Sequence, residues 1–376
     1  MRTPIAWLNT TQNKKRTATA VGGICFAVLL IFMQAGFLGA ARMNASLAYS
    51  ILDFDLILIS RGYLTMPRSE TIDRYRIIQA SSVRGVASAQ GLLIEGADWR
   101  NAATGETASC FVFGIEPHGR PFLDPQLNTQ AAQLNESLTA MVDGNSRSSY
   151  GPWEIGGHGT VNGQPLRITG RYELGMGLLA DGSVIVSDHT YARLYGLPSI
   201  DRYNFGLIKL APGENPSEVA QRLRDALPAD VVISTKAELM HREERYFVTV
   251  KPVGIMFQVG MAVAFAVGAV ILYQILSSEI SNRLREFATL KAIGYTAGHI
   301  YSIGIVQGLL FSLMGYFPSL LISLVLYRVL RALSGFPVYM DFNRAAFVFA
   351  LSLAMCAIAA ALALGKIKRA DPADLF

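Results

Sequence analysis

Residues 252–278, PVGIMFQVGMAVAFAVGAVILYQILSS, run for 27 positions without Asp, Glu, Lys or Arg. About 20 apolar residues suffice for a helix to cross a hydrocarbon core roughly 30 Å thick, so this stretch reads as a membrane span. Three more windows free of those four residue types lie around it: Thr17–Ala41 with 25 residues, Ala292–Tyr327 with 36 and Ala345–Gly365 with 21. Each can cross. The third is too long for one straight crossing, so Ala292–Ala297 read as loop and Pro318 is placed to bend the remainder.

These windows partition the charge as well. The 376-residue chain is 51% apolar and only 16% charged, which argues against a wholly soluble or disordered protein. The stretch Arg42–Lys251 holds 20 basic and 23 acidic residues, and the remainder holds 13 basic against 5 acidic. Ten of those 13 cations are Arg2, Lys14, Lys15, Arg16, Arg283, Arg285, Lys291, Lys366, Lys368 and Arg369. The positive-inside rule places their segments, and hence both termini, in the cytoplasm. Arg328, Arg331 and Arg344, between spans three and four, oppose that assignment without reversing it. The first window exceeds the roughly 7–15 residues of a signal-peptide core and reads as a retained span.

The insert of about 210 residues is large enough for one sizeable domain or two small ones. Apolar alternation predicts strands over Asp53–Ser60 and Val86–Glu95, with an amphipathic helix over Ser69–Ala80 between them. From Ile155 to Ser187 short strands are expected, with Asn162-Gly163 and Asp181-Gly182 as hairpin signals. A strand at Phe205–Leu210, a helix at Pro216–Leu227 with Ser217 near its start, and a strand at Val231–Ser234 follow. Lys236–Lys251 reads as a charged helix semi-continuous with span two, and Ala97–Tyr150 as a mobile subdomain that meets a partner. The expected fold is an α-helical membrane protein with four transmembrane helices and a large mixed α/β periplasmic domain between helices 1 and 2. Its segments are a cytoplasmic basic start (1–16), span one (17–41), the periplasmic domain (42–251) and span two (252–278). A cytoplasmic loop (279–296), span three (297–327), an outer loop (328–344), span four (345–365) and a cytoplasmic tail (366–376) complete it.

Several chemistries are disfavoured. No Asp, Glu, Lys or Arg lies within a span, whereas ion-coupled transporters need ionisable groups at depth. His299 lies near the cytoplasmic end of span three and reads as a structural histidine. The insert contains no HExxH, GxSxG or paired-cysteine motif, and His118, His158, His189 and His241 are widely spaced, so neither a metal set nor a catalytic triad is indicated. Asp188-His189 reads as a helix start, and Trp99 and Trp153 as core or interface aromatics. Cys25, Cys110 and Cys356 offer no disulfide framework. Basic and acidic residues alternate, so no nucleic-acid stripe is present. Small residues recur at helical spacing as Gly260, Ala264 and Gly268, and as Gly304, Gly308 and Ser312, faces that let helices approach closely within or between subunits.

Between spans two and three, Leu284, Phe287 and Leu290 form an apolar stripe beside Arg283, Arg285, Glu286 and Lys291, and Gly294 is placed to end a helix. By itself this reads as an interfacial helix lying on anionic lipid. The run Arg285-Glu286-Phe-Ala-Thr-Leu-Lys291-Ala-Ile-Gly294-Tyr-Thr also resembles the cytoplasmic loop of FtsX/MacB-type ABC transporter permeases, closest to the DevC-like branch. The basic start with Trp7, the order of spans and insert, and the tail Arg369-Ala-Asp371-Pro372-Ala-Asp-Leu-Phe376 agree with it. The resemblance implies a homodimer of non-catalytic, four-span subunits in the bacterial inner membrane. Partners would be a cytoplasmic ABC ATPase that binds ATP and Mg, a periplasmic membrane-fusion adaptor, a TolC-like outer-membrane channel and membrane lipid. With no GxxxxGK[ST] here, hydrolysis is expected in a separate chain. Residues 283–294 would be the coupling helix, and the cargo a lipid, glycolipid or other periplasmic substrate. A lipoprotein-releasing or division-type permease, or a non-transporting membrane sensor, is the alternative.

Overall fold

A computed structural model describes residues 14–102, 104–147, 150–151, 154–175, 180–282, 297–334 and 336–369. In chain order its elements begin with helix α1 (Lys14–Ser50), strands β1 (Leu56–Ser60) and β2 (Ile72–Asp73), helix α2 (Arg74–Ser81), and strands β3 (Val86–Asn101) and β4 (Thr107–Ile115). Helix α3 (Pro125–Ala131), β5 (Thr139–Asp143), β6 (His158–Val161), β7 (Gln164–Tyr172), β8 (Gly182–Ser187) and α4 (Asp188–Leu194) come next. Then follow β9 (Arg202–Tyr203), β10 (Phe205–Leu210), α5 (Pro216–Ala226), β11 (Val231–Thr235), α6 (Lys236–Thr249), α7 (Pro252–Asn282), α8 (Ala297–Ser334) and α9 (Phe342–Arg369). Two compact units result: a helical unit of residues up to Ala40, Pro252–Ser334 and Val338 onward, and an α/β unit of Ala41–Lys251 with Gly335–Pro337.

In the α/β unit the runs β1–α2–β3 and β10–α5–β11 build a sheet in the order β11–β1–β10–β3, every neighbour antiparallel. This is the split βαβ arrangement of ferredoxin-like folds. Strand β3 is 16 residues long and changes partners along its length. Val86–Leu92 pairs with β10, Leu92–Arg100 with β4, and Trp99–Asn101 with β6. From β4 the sheet passes through β8, β5, β7 and β6 and returns to β3, closing these six strands on themselves. Closure ends this side of the sheet without a free edge, while β11, paired only with β1 among the described residues, remains an edge strand.

Two apolar layers cover the sheet. One includes Leu56, Leu58, Ile77, Val219 and Leu223, and extends to Trp99 and Val184. The other includes Tyr49, Phe54, Ile57, Ile59, Phe205 and Leu239. Strand β1 lies between them, so all five of its residues are buried. Asn162 and Gly163 adopt φ of 49° and 77° and turn the β6–β7 hairpin, as their sequence predicts.

Other expectations are corrected. Asp181-Gly182 makes no hairpin: Gly182 starts β8, which pairs in parallel with β4, and the Asp181 carboxylate instead accepts from Ser109. Ala97–Tyr150 supplies the end of β3 and strands β4 and β5 to the closed sheet, with α3 between β4 and β5, so it is no separate subdomain. Within Ser69–Ala80 a short strand precedes the helix, because Asp73 caps α2 by accepting from the Tyr75 amide. Helix α6 ends at Thr249 and α7 starts at Pro252, which lacks the N–H needed to continue the preceding helix.

In the helical unit α1, α7, α8 and α9 each contain a window long and apolar enough to cross a membrane. Helix α1 continues beyond Ala41 to Ser50, and α8 passes through Pro318 and on to Ser334. Residues 328–334 contain no helix breaker, and arginine stems can cover apolar surface while their heads reach water. The connection between α8 and α9 is therefore shorter than the charge pattern implies. Ile24, Ile31, Leu272, Phe311, Met355 and Ala359 fill the centre of the unit.

Candidate functional site

The sequence-derived coupling residues Arg283, Leu284, Arg285, Glu286, Phe287, Leu290, Lys291 and Gly294 lie outside the described residues. The small residues of the spans are described, and they meet neighbouring helices of the same chain. A Cβ at Gly268 of α7 would collide with Met355 of α9 and stand 2.8 Å from the Ala27 Cβ of α1. At Gly308 of α8 it would stand 2.8 Å from Cys356 Sγ, and at Gly260 2.6 Å from Gln34 Nε2. Ala264 and Gly304 are buried. Ser312 and Ser352 join α8 to α9 through hydroxyls 2.5 Å apart. A larger side chain at Gly268 would meet the fixed Ala27 Cβ, whereas at Gly260 the neighbour is the flexible end of Gln34.

In the α/β unit a buried carboxylate ties α1 to α6. Helix α6 starts in a capping box of Thr235 and Glu238 and buries Leu239, Glu243 and Phe247 on one face. Glu243 is 2% exposed. Its Oε1 accepts from the Tyr49 hydroxyl at 3.1 Å, from the Met66 amide at 2.8 Å and from the Tyr63 hydroxyl. The two phenol oxygens are 2.8 Å apart. Arg242 donates to the Tyr63 carbonyl at 2.6 Å and lies over that ring, while Lys236 donates to the Leu52 carbonyl at 2.7 Å. The last turn of α1 is thus fastened to the middle of α6 through Tyr49 and Glu243, and α6 is held at Lys236 and Arg242 to the chain that follows α1.

Burial pushes the Glu243 carboxyl up to about 7, against the opposing pull of its hydrogen-bond donors. Burial likewise lowers Lys236. Sequence reading missed Glu243, although a signal was present: Leu239, Glu243 and Phe247 are spaced by four, placing a carboxylate in the middle of an apolar stripe.

Open grooves also lie on the α/β unit. One of about 480 Å³ is lined by Leu93, Tyr191, Tyr195, Leu197 and Ile200, and a more polar one of about 560 Å³ by Glu70, Asp73, Arg76 and Asp230. Among the described residues no group of three or more His, Cys, Asp or Glu is placed to hold a metal. Asp188 lies in the first turn of α4 behind the Ser187 cap, and His189 is exposed. Trp99 stacks on Tyr150 in the core, while Trp153 lies outside the described residues.

Two known families match the chain. Residues 17–226 match the MacB-like periplasmic core domain, and residues 259–372 match the FtsX-like permease C-terminal domain. The first match alone covers more than half of the chain. This chain belongs to the FtsX/MacB-type permease family. The permease is similar to the periplasmic region of MacB from Actinobacillus actinomycetemcomitans, at 12% identity over 51% of this chain and 94% of that one, with a TM-score of 0.39. It is also similar to the extracellular domain of the noncanonic ABC-type transporter YknZ from Gram-positive bacteria, at 14% identity over 48% and 98%, with a TM-score of 0.33. A domain of a Porphyromonas gingivalis permease protein matches at 14% identity over 49% and 90%, with a TM-score of 0.32. No curated protein matches the permease. Family membership makes it a multi-pass membrane subunit of an ABC transporter, a class that works with an ATPase.

Proposed function

We propose that this permease is the non-catalytic subunit of an ABC-type efflux complex, in which a separate cytoplasmic ATPase drives motion of the α/β unit on the periplasmic side. The ATPase binds ATP and Mg and docks on the loop 279–296. There Leu284, Phe287 and Leu290 enter its groove, Arg283, Arg285, Glu286 and Lys291 set orientation, and Gly294 ends the helix. Two copies of the chain act together. An adaptor and an outer-membrane channel carry away a lipid, glycolipid or other periplasmic cargo.

The observation that carries this reading is α1. One uninterrupted helix, Lys14–Ser50, contains the first span and ends inside the α/β unit, where Tyr49 and Glu243 fasten it to α6, the helix before the second span. Both chain segments that leave the α/β unit toward spans one and two are therefore tied together, which suits a device that converts helix movement into domain movement. Affinity capture of the complex in mild detergent tests the proposal. It should recover an ATP-hydrolysing subunit, and Glu286→Lys should separate ATP hydrolysis from export while the protein stays inserted. Undiminished export by that variant counts against docking through this loop, and a complex without any ATP-hydrolysing subunit rejects the function.

A further inference from the structure

Arg331 is in the last turn of α8, and Arg344 is in the first turn of α9. Tyr327 lies one turn before Arg331, which puts both on one side of α8, and it is within electrostatic range of Arg344 and Asp341. Its hydroxyl donates to the Phe32 carbonyl of α1. The Arg344 guanidinium rests on α1 at Gly39, where a Cβ would collide with it. Arg331 lies over Tyr339, 4.6 Å from the ring centre. Two arginines from two helices are thus gathered at one end of the helical unit.

Their hydrogen bonding is incomplete. Arg331 Nε and Arg344 Nη1 are buried with no acceptor among the described residues. Asp341 is the only acid between Thr296 and Arg369, a stretch that holds Arg328, Arg331 and Arg344. Its Oδ1 is occupied as a cap, accepting from the Arg344 amide at 2.6 Å, and its Oδ2 is 3.6 Å from Arg344 Nη2. A buried guanidinium N–H without an acceptor is costly, and the planar fork pairs bidentately with carboxylate or phosphate oxygens. Leu333 and Phe342, 83% and 86% exposed, stand at the ends of the two apolar windows. At that depth headgroups meet acyl chains.

We infer that Arg331 and Arg344 bind the phosphate of a membrane phospholipid at the ends of α8 and α9 that are joined by residues 335–341. A free anion would use only the arginines, whereas an amphiphile also covers Leu333 and Phe342. The inference depends on the four spans and not on the export reading.

Native mass spectrometry of the whole chain released from mild detergent tests it. Offered phosphatidylglycerol and diacylglycerol with the same acyl chains, the wild-type protein should retain the phosphate-bearing lipid. The double variant Arg331→Gln, Arg344→Gln should lower that preference about tenfold, which corresponds to roughly 1.4 kcal/mol. The pair Arg331→Lys, Arg344→Lys keeps the charges without the forks and should give an intermediate loss, which provides a second test if the glutamine pair misfolds. Equal retention of both lipids by the wild-type protein overturns the site. So does displacement of the lipid by millimolar inorganic phosphate, which assigns the arginines to a free anion. Capture of a second copy of the chain, rather than lipid, by a photoreactive group at Tyr339 also overturns it.

Discussion

Glu243 binds a proton more tightly in the folded protein than in the unfolded chain, because its carboxyl is pushed up to about 7 from an ordinary 4.5. The stability it contributes is complete below about pH 4.5 and is lost as the pH rises through 7. Across that window the loss is on the order of 3 kcal/mol. Glu243→Gln keeps the shape and removes the titration, so its thermal midpoint should exceed that of the wild-type protein at pH 8 and approach it near pH 4.5. A difference between the two midpoints that does not change with pH would show that burial is not controlling this proton. Truncating a phenol acts differently. Tyr49→Phe removes one of three donors to Oε1 and should cost about 1–3 kcal/mol near pH 8, where the carboxylate is charged, and less at pH 5.

At the scale of the element, helices are set by their ends and by the faces they bury. Thr235→Ala removes the reciprocal cap of α6 and should destabilise the protein by about 1 kcal/mol. Chemical denaturation of the whole chain would read this as a lower midpoint with an unchanged slope. Gly268→Leu drives a branched side chain into Met355 and Ala27, and overpacking of this kind costs about 1–3 kcal/mol. Because those contacts lie within one chain, the lowered melting temperature should be the same at all protein concentrations. A concentration-dependent effect would instead assign that face to contact between copies.

Across the whole molecule, four crossings put the ends of α7 and α8 at opposite membrane faces. A cysteine at Ser281 should react with a membrane-impermeant maleimide from the cytoplasmic side, and one at Asn343, which follows the end of α8, only from the other side. Labelling of both from one side would break the topology and with it any route from an ATPase to the α/β unit. Hydropathy and charge are properties of neighbouring residues, so the sequence alone determined the four spans, their expected orientation and the presence of a mixed domain between the first two. The loop that bears the family resemblance was legible for the same reason, since its pattern lies within 12 consecutive residues. Strand order was not. Strand β3 pairs with β10, β4 and β6 along one continuous stretch, and no local pattern encodes partners so distant in the chain. For Glu243 the four-residue spacing with Leu239 and Phe247 marks a buried face, but its partners Tyr49 and Tyr63 lie 194 and 180 positions earlier and no local pattern names them. Only the tertiary structure decided which polar groups lost their water, because that depends on what the rest of the chain places on top of them.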